Sequence, residues 1–86
     1  MNYVFHKDFI KAYTKLSAKP KLAVDEKIRL FKENPFSDTL RNHHLKGKYM
    51  GYNSINITGD YRVHFKVVSE NELIFVRLGT HSQLYG

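Results

Sequence analysis

His43, Asp60, Arg62, Arg77, His81 and Tyr85 all lie from the midpoint of this 86-residue chain onward, beside turn residues or at strand ends. Between them they hold the groups needed to cut a ribonucleic acid backbone without a metal. A 2′-hydroxyl attacks the neighbouring phosphate once a base removes its proton, an acid protonates the leaving oxygen, and fixed positive charge steadies the developing phosphorane. An imidazole titrates near neutrality, so His43 and His81 are the acid and base candidates, and the residues alone leave open which is which. His44 stands next to His43 and could substitute for it. Asp60 either acts as a base or orients a histidine, and it is also a residue that turn chemistry favours. Arg77 and Arg62 offer planar forks for phosphate oxygens, although an arginine on a strand also snorkels over apolar surface. Tyr85 can stack on a splayed base or position a phosphate, or simply plug the C-terminal end of the core. His6 and His64 are assigned structural places. With no His-x-His or His-Glu-x-x-His spacing and no cysteine, neither a metal site nor another cofactor is expected.

These side chains need elements to carry them. Tyr3 to Phe5 read as a short first strand. Phe9, Ala12, Tyr13 and Leu16 then mark the apolar stripe of a helix whose Lys7, Lys11 and Lys15 share another, solvated face. Ser17 to Lys19 make a connection, and Pro20 suits the first position of a second helix with Val24, Ile28 and Phe31 inward and Pro35 as its stop. The tight link predicts an antiparallel helical hairpin that must cover a sheet. From Pro35 to Met50 the chain is polar and reads as a loop and a short strand across the edge of the fold. Strands follow at Tyr52 to Ile57 and Asp60 to Val68, joined by a turn at Thr58-Gly59, with a third from Leu73 to Leu78. Period-two alternation puts Tyr61, Val63, Phe65 and Val67 on one face and Asp60, Arg62, His64 and Lys66 on the other. On the third strand it sets Ile74, Val76 and Leu78 against Phe75 and Arg77. The expected architecture is α+β, a single domain over residues 1–86 in the order β-α-α-β-β-β, with the hairpin packed on a largely antiparallel four-stranded sheet. Its polar face stays open, and the tail carrying His81 and Tyr85 folds over the rim.

Eleven Lys or Arg against five acids in residues 1–48, and three against three in residues 49–86, place the net charge of +6 in the N-terminal half. Such a surface attracts polyanions and favours RNA or DNA as a partner. Absence of cysteine removes disulfides and suits a reducing cytoplasm. The chain runs from Met1 straight into Asn2-Tyr3-Val4-Phe5 and has no long apolar run, so neither a signal peptide nor a membrane span is expected.

The segments Asn42-His43-His44-Leu45-Lys46-Gly47, Gly51-Tyr52, Gly59-Asp60-Tyr61-Arg62 and Arg77-Leu78-Gly79-Thr80-His81-Ser82-Gln83-Leu84-Tyr85 resemble the RelE/ParE superfamily of bacterial toxins, nearest its YafQ branch. The Gly-Thr-His-Ser-x-Leu-aromatic ending is the most specific of them. The resemblance implies the toxin of a type II toxin–antitoxin pair, a metal-independent endoribonuclease that cuts mRNA on the ribosome and is held by a cognate antitoxin. It implies His43, Asp60, His81 and Tyr85 as the residues of cleavage and Arg77 as a phosphate contact; Arg62 and Lys46 join Arg77 as candidates for binding the substrate. Where relatives of that branch often place a histidine and a tryptophan, this chain has Asn56 and Tyr61. Asn56 cannot exchange protons near neutral pH, so the chemistry falls to His43, His81 and Asp60. Two other readings share the scaffold: a ParE-like inhibitor of DNA gyrase without nuclease activity, and an inactive relative that binds RNA or antitoxin.

Overall fold

The aromatic and β-branched run Asn2–Phe5 forms the first strand (β1) of a computed structural model that describes residues 1–85. His6 ends it and caps the next helix: its Nδ1 accepts the Asp8 N–H at 3.1 Å, the structural place expected of it. Helix α1 (Lys7–Thr14) buries Phe9, and α2 (Ala18–Glu33) buries Val24, Ile28 and Phe31. The second helix begins at Ala18 rather than at Pro20. Pro20 still falls in the first turn, where a backbone N–H has no intrahelical acceptor, so the missing donor costs nothing. Asn34 caps the far end immediately before Pro35.

Five strands make the sheet, not four. Beyond β1 these are β2 (His43–His44), β3 (Asn53–Thr58), β4 (Tyr61–Ser69) and β5 (Glu72–Thr80), in the order β1-β5-β4-β3-β2. β1 runs parallel to β5 and the other pairs are antiparallel. The strand beyond the expected four is β2, the short edge strand read between Pro35 and Met50, and its two residues are too few to show an alternation. The β3–β4 turn is Gly59-Asp60, closed by the Thr58–Tyr61 pair, so Asp60 sits in the turn and not at the start of the strand. Gly59 takes φ +47°, a left-handed conformation that glycine adopts without steric cost.

Period-two alternation fails on β5. His64 pairs with Arg77 but Phe65 pairs with Phe75, so Val76 is an extra residue on β5 and forms a bulge. The bulge resets the phase: Leu73, Phe75 and Leu78 are the buried apolar side chains of this strand, while Ile74 and Val76 are only half-buried. Phe75 is consequently the centre of the core, beneath α1 and α2, instead of facing outward with Arg77.

The described residues end in a helical turn, α3 (His81–Tyr85), where a tail was expected. Thr80 Oγ1 accepts the Gln83 N–H at 3.2 Å and Gln83 Oε1 accepts the Thr80 N–H at 2.8 Å, a reciprocal capping box. Its Leu84 is buried against the polar side of the sheet. The approach needs Gly79, since a Cβ there would lie 3.0 Å from Gln83 Oε1 and 3.4 Å from Leu84 Cδ2.

Candidate active site

Pairing across four strands lines up one row of side chains on the sheet face away from the helical hairpin. His43 of β2 pairs with Ser54 of β3, Ser54 with His64 of β4, and His64 with Arg77 of β5. Neighbouring strands lie roughly 4.8 Å apart, so the row from His43 to Arg77 spans roughly 14 Å. The next row on the same face holds Asn56 and Arg62, opposite Gly79.

Two tyrosines roof the row. Tyr49, from the 3₁₀ turn Gly47–Tyr49, donates its hydroxyl to the Leu84 carbonyl at 2.8 Å, tying that turn to α3. Tyr85 Oη lies 2.8 Å from His64 Nε2. The rings of Tyr49 and Tyr85 meet edge to face with centroids 5.2 Å apart, and both contact the His64 ring, at 5.8 and 5.2 Å. The Arg77 guanidinium sits 4.6 Å from the Tyr49 ring centroid and 5.8 Å from that of Tyr52. Stacking holds the fork in place, and among the described residues no carboxylate pairs with it.

Asp60 and His81 come together at one end of this face. The His81 N–H donates to the Asp60 carbonyl at 3.2 Å, which docks the start of α3 onto the hairpin turn. Both side chains are exposed, and the His81 ring lies 4.7 Å from that of Tyr85. Rings therefore run in contact from His81 through Tyr85 to His64. Arg62 serves the turn: its guanidinium donates to the carbonyls of Gly59 at 3.0 Å and Tyr61 at 3.1 Å.

At the other end, exposed His43 holds its Nδ1 2.7 Å from the Arg41 carbonyl. A carbonyl only accepts, so Nδ1 carries the proton and, in the neutral ring, Nε2 is left as a free base. His44 points to the opposite face of the strand and bonds Asn53 Oδ1 at 3.0 Å, so it does not stand in for His43. Lys46 is exposed at the cap of the Gly47–Tyr49 turn.

His64 is the most perturbed group. Burial, then the positive charge of Arg77, then His43, lower its pKa from 6.5 to about 4, so the ring is neutral at physiological pH. Burial also pushes the Tyr85 hydroxyl above its ordinary value, with Tyr49 adding to the rise and Arg77 and Ser54 acting against it. Tyr85 thus stays a hydrogen-bond donor and is unsuited to be the base.

A family model described as the bacterial toxin of type II toxin–antitoxin system, YafQ, matches residues 1–86. The chain belongs to the YafQ family. It is therefore the toxin of a type II toxin–antitoxin system, with a RelE/ParE-type fold. The crystal structure of YafQ from E. coli strain BL21(DE3) superposes with a TM-score of 0.81 at 23% identity, covering 99% of this chain and 98% of that one. A YoeB/ParE toxin from Agrobacterium tumefaciens does so at 0.78 and 25% identity, over 94% and 99%. The E. coli DinJ-YafQ complex gives 0.72 at 22% identity, over 99% and 98%. No curated protein matches the sequence.

Within this YafQ-family site, three residues were not singled out from sequence. Tyr49 and Ser54 gave no signal beyond their type. His64 was assigned to structure, yet it pairs with Tyr85 in the middle of the cluster. Asn56, where the resemblance led us to expect a histidine, shares the polar face with His64, which stands on the next strand in the next row. The capping box at Thr80 and Gln83 was the legible sign that the tail is helical and would bring His81 back over the sheet.

Proposed function

We propose that this toxin is a metal-independent, ribosome-dependent endoribonuclease that cuts mRNA by acid–base transesterification. His43 takes the proton of the attacking 2′-hydroxyl at Nε2, the nitrogen left free by the Arg41 carbonyl. The 2′-oxygen bonds to phosphorus, the bond to the 5′-oxygen breaks, and protonated His81 supplies the proton that oxygen needs. The products are a 2′,3′-cyclic phosphate and a 5′-hydroxyl. Arg77, splayed on Tyr49, offers N–H groups to the phosphate oxygens, and Asp60 beside His81 orients that end. Arg62 reaches the substrate less directly, since two of its bonds go to the hairpin turn.

The single observation carrying this reading is the run of contacts from His81 through Tyr85 and His64 toward Arg77, on the face where the row begins with His43. The remaining cations support a large polyanionic partner: among the described residues no Lys or Arg nitrogen lies within 4 Å of a carboxylate oxygen, so none of the 14 Lys and Arg is tied to a carboxylate. A cognate antitoxin is the expected protein partner, as two of the similar solved structures are complexes of YafQ with DinJ. The test is codon-resolved primer extension on mRNA with ribosomes present. Cleavage undiminished in a His43→Ala, His81→Ala double variant overturns the reading. Inhibition of gyrase supercoiling by both forms would favour a ParE-like action instead.

A further inference from the structure

Tyr85 is half-buried with its hydroxyl toward His64, and the tautomer of that imidazole decides where the phenolic proton points. The His64 side chain has no exposed surface, and its Nδ1 is buried with no hydrogen-bond partner. Among the described residues the ring is faced by Ser54 from β3, His43 from β2, Arg77 from β5, Tyr49 from the 3₁₀ turn and Tyr85 from α3.

Three protonation states must be weighed. A charged ring would bury an unsatisfied N–H next to the Arg77 cation. With the proton on Nδ1, Tyr85 would donate to Nε2 and a buried N–H would again be orphaned, which native structures rarely tolerate. With the proton on Nε2, the ring donates to Tyr85 Oη and only a lone pair goes unmatched at Nδ1, the least costly of the three. In that state the Tyr85 O–H has no acceptor on His64, and the Ser54 hydroxyl, which also bonds Tyr85 and favours its charged form, acts as a second donor to Oη, so the phenolic proton is left to point away from both.

We propose that His64 is a positioning residue which, as the Nε2–H tautomer, donates to Tyr85 Oη and turns the phenolic proton outward to a non-bridging oxygen of the scissile phosphate. This deepens the nuclease reading and rests on it. Arg77 and Tyr85 then grip the phosphate from two sides while His43 and His81 move protons. Leu84, anchored by its own burial and by the Tyr49 hydroxyl on its carbonyl, fixes the backbone from which Tyr85 projects.

The experiment combines histidine ¹⁵N NMR of the full toxin with cleavage kinetics on ribosome-bound mRNA. The spectrum is expected to show His64 as a neutral Nε2–H ring at pH 7; an Nδ1–H ring or an imidazolium overturns the proposal. Tyr85→Phe and His64→Leu are each expected to lower kcat about tenfold with KM little changed, and the double variant to be no slower than the worse single one. His64→Gln, whose amide N–H falls where Nε2–H lies, is expected to recover at least a third of the wild-type rate. Additive losses, or full activity in His64→Leu, overturn the positioning role while leaving the nuclease reading intact. A wild-type toxin that does not cut overturns the nuclease reading and this use of Tyr85 with it, and the tautomer is still read from the spectrum. Far-UV circular dichroism of each variant separates misfolding from loss of positioning, and the Gln variant decides if the Leu variant fails to fold.

Discussion

On the hairpin-covered face of the sheet, Phe75 is in contact with five aromatic rings, those of Tyr3, Phe5, Phe9, Phe31 and Phe65, at centroid distances from 5.1 to 6.4 Å. On the opposite face Tyr49, Tyr85 and His64 also form a ring cluster, but each is held by one hydrogen bond: Tyr49 to Leu84, and Tyr85 to His64. The first arrangement is redundant and undirected, since dispersion and burial do not depend on which atom touches which. The second is directional, and deleting one polar atom re-aims its neighbour. The same three central strands thus support a face that stores stability and a face that stores geometry. Loss of stability and loss of activity should separate accordingly.

The sharpest separation is expected from the exposed pair. His43→Ala with His81→Ala should reduce cleavage by about 10²- to 10⁴-fold on the contribution of general acid–base groups, while the urea midpoint moves by no more than about 0.5 kcal/mol because both residues are exposed. Primer extension and urea denaturation on the same samples check the two halves. Phe75→Ala should do the reverse. It empties the centre of the core and should lower stability by about 3–5 kcal/mol in urea denaturation, with residual folded protein still cutting RNA.

Acid should break the comparison from the polar side. The His64 imidazole takes up a proton near 6.5 when unfolded but only at about 4 when folded, so between those values the unfolded chain binds more protons. Stability therefore falls as pH drops through this window, by on the order of 3 kcal/mol in all, and the loss is complete below the folded pKa. His64→Leu should flatten that part of the curve in urea titrations at pH 7, 5.5 and 4. The smallest effect is expected from Tyr49→Phe. It removes the bond to the Leu84 carbonyl and should cost about 1 kcal/mol, measured by the urea midpoint, while the ring still supports Arg77.

How much of this was legible varied by element. Strongly periodic segments were read correctly: the stripe Phe9, Ala12, Tyr13 and Leu16, the inward Val24, Ile28 and Phe31, and the alternation along β4 from Tyr61 to Phe65. Elements defined by one or two residues were read only in part. The short edge strand between Pro35 and Met50 was expected but without bounds, because the two-residue β2 has no period, and the Val76 bulge is a property of how β4 and β5 fit together, so alternation on β5 placed Phe75 on the wrong face. The Thr80–Gln83 capping box was present in the sequence but was not read, and the last segment was taken as a tail. Among the site candidates, His43, Asp60, His81, Arg77 and Tyr85 were chosen from chemistry and resemblance, and the structure sets Tyr85 and Arg77 against a residue that chemistry had set aside, His64, with His81 reaching it only through the Tyr85 ring.

Sequence by itself determined the helical hairpin, the presence of an apolar and a polar sheet face, and the inventory of imidazole, carboxylate, guanidinium and phenol side chains, because these depend on local periodicity and residue type. Tertiary structure alone decided which of those groups meet. Strand register put His43, Ser54, His64 and Arg77 in one row, the bulge turned Phe75 inward, and the docking of α3 over Gly79 set Tyr85 on His64. Each of these relations joins residues distant in the chain, and no local rule specifies how two strands slide past each other before their side chains pack.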